Sequence, residues 1–356
     1  MARRQQYIFA EEQHHGRGVL IALLVVLVLL FSGLFTWNFA LNHTVTFTKQ
    51  YVTITNLPTD LENFTILHLS DLNGQYVGDK QSAIKKAIGT RSVSCIVLSG
   101  NMVGEDGDVQ PLLDLLAILP PSTPTLLIPG DGDPALYATT AHATVSPYAD
   151  WAQQLQSAGV TILDVPVSIT RGDEVVWFVP ERLYSLDIDA TQQAYQNQLD
   201  GLNALVGGLT ADEAAQKRNA EYQISRMNRL REIIATIKDD HIQIAVSHLP
   251  LTRDYVTAAR ASVPTKTVFS MHRVSLILCG GYCGGQWRLP GLGAVYVPEL
   301  GFFPEDSEVM GLGYLNGIWQ YISPGLTASP DYPWFMPFRL FNSPGVAMHV
   351  LTTDIY

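Results

Sequence analysis

FTILHLSDLNG (residues 64–74), CIVLSGNM (95–102) and TLLIPGDGD (125–133) share one form: a short run rich in apolar and β-branched residues that breaks into Ser, Gly, Asp or Asn. Such runs read as buried strands closed by loop residues. Between them, Lys80–Ile88 and Val109–Leu119 carry helical spacing. Strand, helix, strand, helix, strand is the order of βαβ units and predicts an α/β fold with a largely parallel sheet. Sheets of this kind place ligands beyond the carboxyl ends of their strands. Chemistry is therefore sought in Ser70-Asp71-Leu72-Asn73-Gly74, Ser99-Gly100-Asn101-Met102 and Pro129-Gly130-Asp131-Gly132-Asp133.

Outward from that block, Tyr51–Leu57 reads as a preceding strand and Trp151–Ala158 as a following helix. Val160–Leu163, Val167–Thr170 and Val175–Val179 read as short strands of a second sheet, completed by Ile242–Val246, Leu276–Leu278 and Ala294–Val297. Thr210-Ala211-Asp212-Glu213 has the form of a capping box. The helical segment it opens runs over about 210–238, with Ile224, Met227, Leu230, Ile233, Ile234 and Ile237 spaced mostly by three and four. That stripe suits core packing before it suits a partner helix.

Upstream lies a different solvent. Val19–Leu41 is uncharged, and about 20 residues at 1.5 Å rise cross a bilayer core of about 30 Å. The stretch from Leu20 to Phe31 lacks the polar positions that a core helix would show. Arg3, Arg4 and Arg17 precede it, and the first basic residue after it is Lys49. The positive-inside rule then predicts a cytoplasmic tail over 1–18, a span over 19–41 and an extracytoplasmic domain over 42–356 at the cell membrane. Phe35-Thr36-Trp37-Asn38-Phe39 is a poor signal-peptidase site, so an anchor is expected rather than a cleaved leader. Arg3-Arg4 is followed by Glu11 and Glu12 and does not make a twin-arginine signal.

Composition bounds the partners. Lys and Arg number 22 against 33 Asp and Glu, a net charge of −11, so no basic field exists to hold nucleic acid. Only 15% of residues are charged, which suits a large core plus membrane contact. Cys95, Cys279 and Cys283 are too few for a disulfide framework, and a Cys279–Cys283 bridge would be strained. Nothing in the sequence specifies a protein partner.

In chain order, LSDLNG (69–74), LSGNM (98–102), PGDGD (129–133), VSHLP (246–250) and CGGYCGGQWRLPGLG (279–293) resemble the five-block signature of the calcineurin-like metallophosphoesterases. Those blocks usually read D-x-H, G-D, G-N-H-[DE], a lone H and G-H-T-H-G-G-Q. RLFNSPGV (339–346) resembles the R-x-F-N-P-P-E tail of their membrane-anchored bacterial branch. The resemblance covers roughly 51–356. It implies a double β-sheet sandwich flanked by helices (αββα), preceded here by one transmembrane helix. It also implies two divalent metals, often manganese, iron or zinc, bridged by an aspartate and by a hydroxide that attacks phosphorus.

Residue by residue the pattern has changed. Asp71 and His248 stand where the first aspartate and the lone histidine belong. Asn73 replaces the histidine of D-x-H, and Asn101 replaces the bridging aspartate. Asp131 and Gly132 replace the asparagine and catalytic histidine of G-N-H, while Gly281 and Cys283 replace the histidines of G-H-T-H. Two dications about 3.7 Å apart repel by roughly 18 kcal/mol at an effective dielectric of about 20, and neutral Asn101 cannot bridge them. A family-type binuclear centre is not expected.

Two readings follow. The first is a catalytically impaired pseudo-phosphoesterase with a ligand-binding or scaffolding role at the cell envelope and no metal. Backbone at Gly100, Asn101, Gly130, Asp131, Gly284 and Gly285 would then line a pocket for a phosphorylated small molecule or lipid. The second is a hydrolase using one manganese or zinc held by Asp71, Asp131, His248 and Cys283. Asp133 is then the nearest substitute for the acid lost at Gly132. Cys283 as a nucleophile lacks any adjacent residue to lower its pKa. Glu105, Asp106 and Asp108 are acidic but form no twelve-residue calcium loop. His14-His15 reads as a polar cytoplasmic pair. Asn42-His43-Thr44 and Asn63-Phe64-Thr65 have the N-x-T form only by chance.

Overall fold

The computed structural model describes residues 15–139 and 146–354; Arg3, Arg4, Glu11, Glu12 and His14, which bear on orientation, lie outside them. A helix, α1 (His15–Asn42), leads into two six-stranded sheets with helices on both outer faces. From Gly18 onward α1 is long and apolar enough to cross a membrane, its apolar window is not buried against the rest of the chain, and its last turns touch the domain through Asn38 and Asn42.

Sheet one contains β1 (Thr46–Thr53), β2 (Thr65–Leu69), β3 (Cys95–Ser99), β4 (Thr125–Ile128) and β5 (Val160–Ile162). Sheet two contains β6 (Val167–Arg171), β7 (Glu174–Pro180), β8 (Ile242–Val246), β9 (Val274–Cys279), β10 (Gly311–Leu315) and β11 (Ile318–Ile322). The last strand, β12 (Gly345–Thr352), returns to sheet one between β1 and β2. It runs parallel to β1 and antiparallel to β2, while β2, β3, β4 and β5 are mutually parallel. Sheet two has the order β10-β11-β9-β8-β7-β6, antiparallel only at its two edges.

Alternation along the strands builds the layers. Ile66, Val97 and Leu126 face inward and meet Phe178, Ile244, Leu276 and Tyr321 of the opposite sheet. Leu67, Leu69, Ile96 and Leu98 point outward onto α2 (Ser82–Ile88), α3 (Gln110–Ile118) and α4 (Asp150–Ser157). Beyond sheet two, Val179, Ala245 and Ile277 pack on α6 (Ala211–Thr236) and α7 (Arg253–Ala261). The expected two-sheet αββα sandwich is therefore the observed fold.

Several expectations need correction. Val160–Ile162 pairs with β4 and belongs to sheet one, because its register continues the parallel ladder beside Thr125–Leu127. The first strand begins at Thr46, ahead of the expected Tyr51, since its register is set by β12. Ala294–Val297 joins neither large sheet and is divided between two two-residue ribbons. The helix α5 (Ile188–Asn203) pairs with α6, although no residue of α5 is buried and so no apolar stripe announces it. The capping box at Thr210 and Glu213 is present, and α6 ends at Thr236. All three cysteines are free.

One polar knot ties α6 to sheet one. Asp164, just past β5, is buried and accepts from Tyr148 Oη at 2.6 Å and also from Tyr222 Oη. Its backbone carbonyl accepts from Arg226 Nε and Nη2 at 2.8 and 2.6 Å. Asp164→Ala leaves the Tyr148 and Tyr222 hydroxyls with each other, 2.6 Å apart, and takes the carboxylate away from Arg226 and from Arg229, whose Nη2 lies 3.3 Å from Asp164 Oδ1. We expect a loss of about 2 kcal/mol in urea unfolding, less than for a fully orphaned buried charge. An unchanged midpoint would show that water replaces the carboxylate.

Candidate functional site

The loops after β2, β3, β4, β8 and β9 converge at one end of the sandwich, as parallel strands dictate. Their backbones are tightly bent. Asp71, Asn73, Asn101, Cys283 and Gln286 all have positive φ, between 43° and 56°. Asp and Asn tolerate this left-handed region better than most residues, so three of these positions are served by the turn alone. Cys283 and Gln286 are unusual there, and such conformations persist only where surrounding bonds hold them.

Asp71 is fully buried. Ser70 Oγ donates to its Oδ2 at 2.6 Å and the Gly281 amide donates to both oxygens at 3.2 and 3.1 Å. Burial pushes its carboxyl above the ordinary range, against the pull of His248, those bonds and Arg339. His248, half-buried, has Nδ1 3.2 Å from the Ser99 carbonyl oxygen. Burial also raises the Cys283 thiol far up, with the Asp71 charge adding to the effect, so this sulfur is held as a thiol.

Side chains at the strand ends bind neighbouring loops. Asn101 Oδ1 accepts from the Gly132 amide at 2.8 Å and clips two of the loops together. Asn73 Nδ2 donates to Thr327 Oγ1 at 3.1 Å and to the Ala328 carbonyl at 3.3 Å. Asp133 accepts from the amides of Val103, Gly104 and Gly130, which makes it a loop brace. Gly281 has a φ of 82°, and a Cβ there would lie 2.5 Å from Leu249 Cδ2, so a larger residue would be strained and would have to displace that leucine.

The structure brings Asp71, His248, Gly281 and Cys283 together and leaves Asp131 exposed on the rim. Among the described residues no group of three or more His, Cys, Asp or Glu is placed to hold a metal ion. Asn101 Oδ1 accepts from the Gly132 amide, and Gly132 and Gly281 carry no side chain to act as a ligand. The glycines expected to line a pocket are also points of close packing. A Cβ on Gly100 would sit 2.3 Å from His248 Nδ1 and 2.9 Å from Gly130 Cα. On Gly284 it would meet Asn342, and on Gly285 it would meet Ala294.

The open space lies beside them. A cleft of about 540 Å³ is bounded by Asn73, Gly104, Glu105, Asp106, Gly132 and the segment 328–337. Among the described residues that line it there is no Lys, Arg or His, while Glu105 and Asp106 are exposed.

Two groups escaped the sequence reading. Arg339, in RLFNSPGV, is buried and donates to the carbonyls of Pro324, Thr327, Asn342 and Ser343 at 2.8 to 3.2 Å. Asn342 donates to the Cys283 carbonyl at 2.8 Å and holds the bent 283–286 turn. The arginine had a signal, namely its place in the tail block. His68 and His349, both fully buried between the sheets, had only the oddity of a histidine inside an apolar strand.

No protein-family model matches this chain, and no curated protein matches it. Among solved structures it is similar to phosphopantetheinyl hydrolase (PptH) from Mycobacterium tuberculosis, with a TM-score of 0.36 and 13% identity. That match covers 74% of this chain and 89% of the other.

Proposed function

We propose that this chain is a membrane-anchored protein of the calcineurin-like metallophosphoesterase type that has given up phosphoester hydrolysis and acts by binding or scaffolding at the cell envelope. One observation carries the reading: the side chain at the position of the bridging carboxylate, Asn101, uses its acceptor oxygen to hold the Gly132 amide. The site has been rebuilt as a loop junction. In this reading residues 1–18 are cytoplasmic, 19–41 span the membrane and 42–356 lie outside. The packing of α1 on the domain favours an anchor over a removed leader. Phe341 N donates to Asn38 Oδ1 at 2.7 Å, and Trp37 lies 5.3 Å from the Phe341 ring. Carboxylates at the cleft rim favour a neutral or cationic polar ligand over a bare phosphate.

The test is metal content and turnover of the full chain in detergent after exposure to manganese and zinc. We expect no stoichiometric metal after desalting, and no phosphomonoester or phosphodiester turnover above that of His248→Ala. About one equivalent of metal, lost together with turnover in His248→Ala, would instead establish the mononuclear hydrolase built on Asp71, Asp131, His248 and Cys283.

A further inference from the structure

Next to the outer end of α1 lies an apolar surface that the chain holds rigidly yet does not cover. Trp334 is 89% exposed, Leu292 67%, Phe338 48% and Phe335 47%. The loop bearing these aromatics is fixed from beneath. Met336 is buried and its carbonyl accepts from Gln286 Nε2, and Trp287 Nε1 donates to the Phe338 carbonyl at 2.9 Å. Trp287 packs its ring 5.5 Å from Phe338 and 6.5 Å from Phe335, and Trp334 follows at 5.9 Å from Phe335. A loop pinned in this way displays its rings by construction, and contiguous exposed apolar surface marks an interaction site.

Continuity with α1 says what covers it. Trp37 and Leu41, in the last turns of α1, share a groove with Leu289, Leu292 and Phe341. The chain from Phe341 back to Trp334 leads directly from that groove to the exposed rings. Trp and Phe beside the end of a span have the composition of the membrane–water interface. A basic surface is not needed, because the exposed rings and Leu292 are apolar, and Arg288 in the groove is paired with Asp306 at 2.7 Å.

We infer that the domain rests on the bilayer through Leu292, Trp334, Phe335 and Phe338, with the Asn73–Gly132 cleft opening at headgroup level. Trp334 belongs to both features, being a wall of the cleft and the most exposed ring of the ridge. The ligand that reaches this cleft is then the polar head of a membrane amphiphile, delivered along the bilayer plane. This inference rests on the anchor part of the proposed function and is independent of whether the site hydrolyses anything.

The experiment uses the full chain carrying Trp37→Phe, reconstituted into phosphatidylcholine vesicles with and without acyl-chain bromine as a tryptophan quencher. Docking predicts clear quenching by the brominated lipid and loss of most of it on adding Trp334→Ala. That substitution is expected to leave the melting temperature unchanged, since the ring is almost wholly exposed. Equal emission in both lipids, from chain that stays with the vesicles through an alkaline carbonate wash, overturns the docking and leaves the anchor intact. Release of the chain by carbonate overturns the anchor, and the docking with it.

Discussion

Arg339→Ala is expected to lower the unfolding free energy of the domain by about 3–5 kcal/mol, read as a shifted denaturant midpoint of the full chain in detergent. The guanidinium is buried and meets four backbone carbonyls, of Pro324, Thr327, Asn342 and Ser343. Truncation leaves those carbonyls unpaired inside the protein and opens a cavity where a planar fork had filled the space. Each stranded carbonyl costs about 1–3 kcal/mol until water enters, so the sum is bounded by how wet the cavity becomes. Lysine should not rescue it, since one ammonium cannot span acceptors arranged for a fork. The damage should also reach α1, because the Arg339 carbonyl accepts from Asn42 Nδ2 at 2.5 Å. Loss below about 1 kcal/mol would show that the loops around Arg339 are held by something else, and the view of it as a central tie would be abandoned.

Periodicity and strand-end punctuation make the βαβ half and the site's location legible. β2, β3 and β4 are short apolar runs with obvious stops, and a parallel sheet then brings residues 71, 101 and 130–133 to one edge regardless of their distance in sequence. What stayed hidden has physical reasons. β12 is buried along its whole length, so no alternation marks its faces, and its placement between β1 and β2 depends on pairing across the entire chain. β10 is half-exposed and Gly-rich, and α5 buries nothing, so neither carries a pattern. At the site, the residue identities are visible in the letters, but the bonds they make are not. That Asn101 clips Gly132, and that Asn73 reaches Thr327 some 254 positions away, are facts of tertiary geometry. The role of Cys283 follows the same rule, since its burial beside Asp71, which holds it as a thiol, has no local sequence sign.

Lowering the pH from 7 to 5 is expected to weaken the domain through two histidines far from any solvent. His68 in β2 and His349 in β12 lie between the sheets, 5.6 Å apart, with the Tyr321 ring 4.5 Å from His349. His68 Nε2 lies 2.7 Å from Ser99 Oγ, while neither ring nitrogen of His349 has a hydrogen-bond partner among the described residues. Burial brings the His68 imidazole down to about 3, and burial together with His68 drives His349 well below its ordinary value. Both are therefore neutral in the fold and protonate only on unfolding. A depressed folded value gives stability that is complete above pH 6.5 and declines as pH falls through the range down to about 3 for His68. Between pH 7 and 5 His68 alone accounts for about 2 kcal/mol, and His349 acts in the same direction. Asp71 and Glu181, whose carboxyls burial pushes up, work in the opposite sense, so the informative quantity is the difference between variants. His349→Leu keeps the site apolar and removes one titrating ring, and its denaturation midpoint should fall less steeply over pH 7 to 5 than that of the natural chain. Parallel slopes in the two proteins would mean that His349 is protonated and hydrated in the fold, and that the space between the sheets admits water.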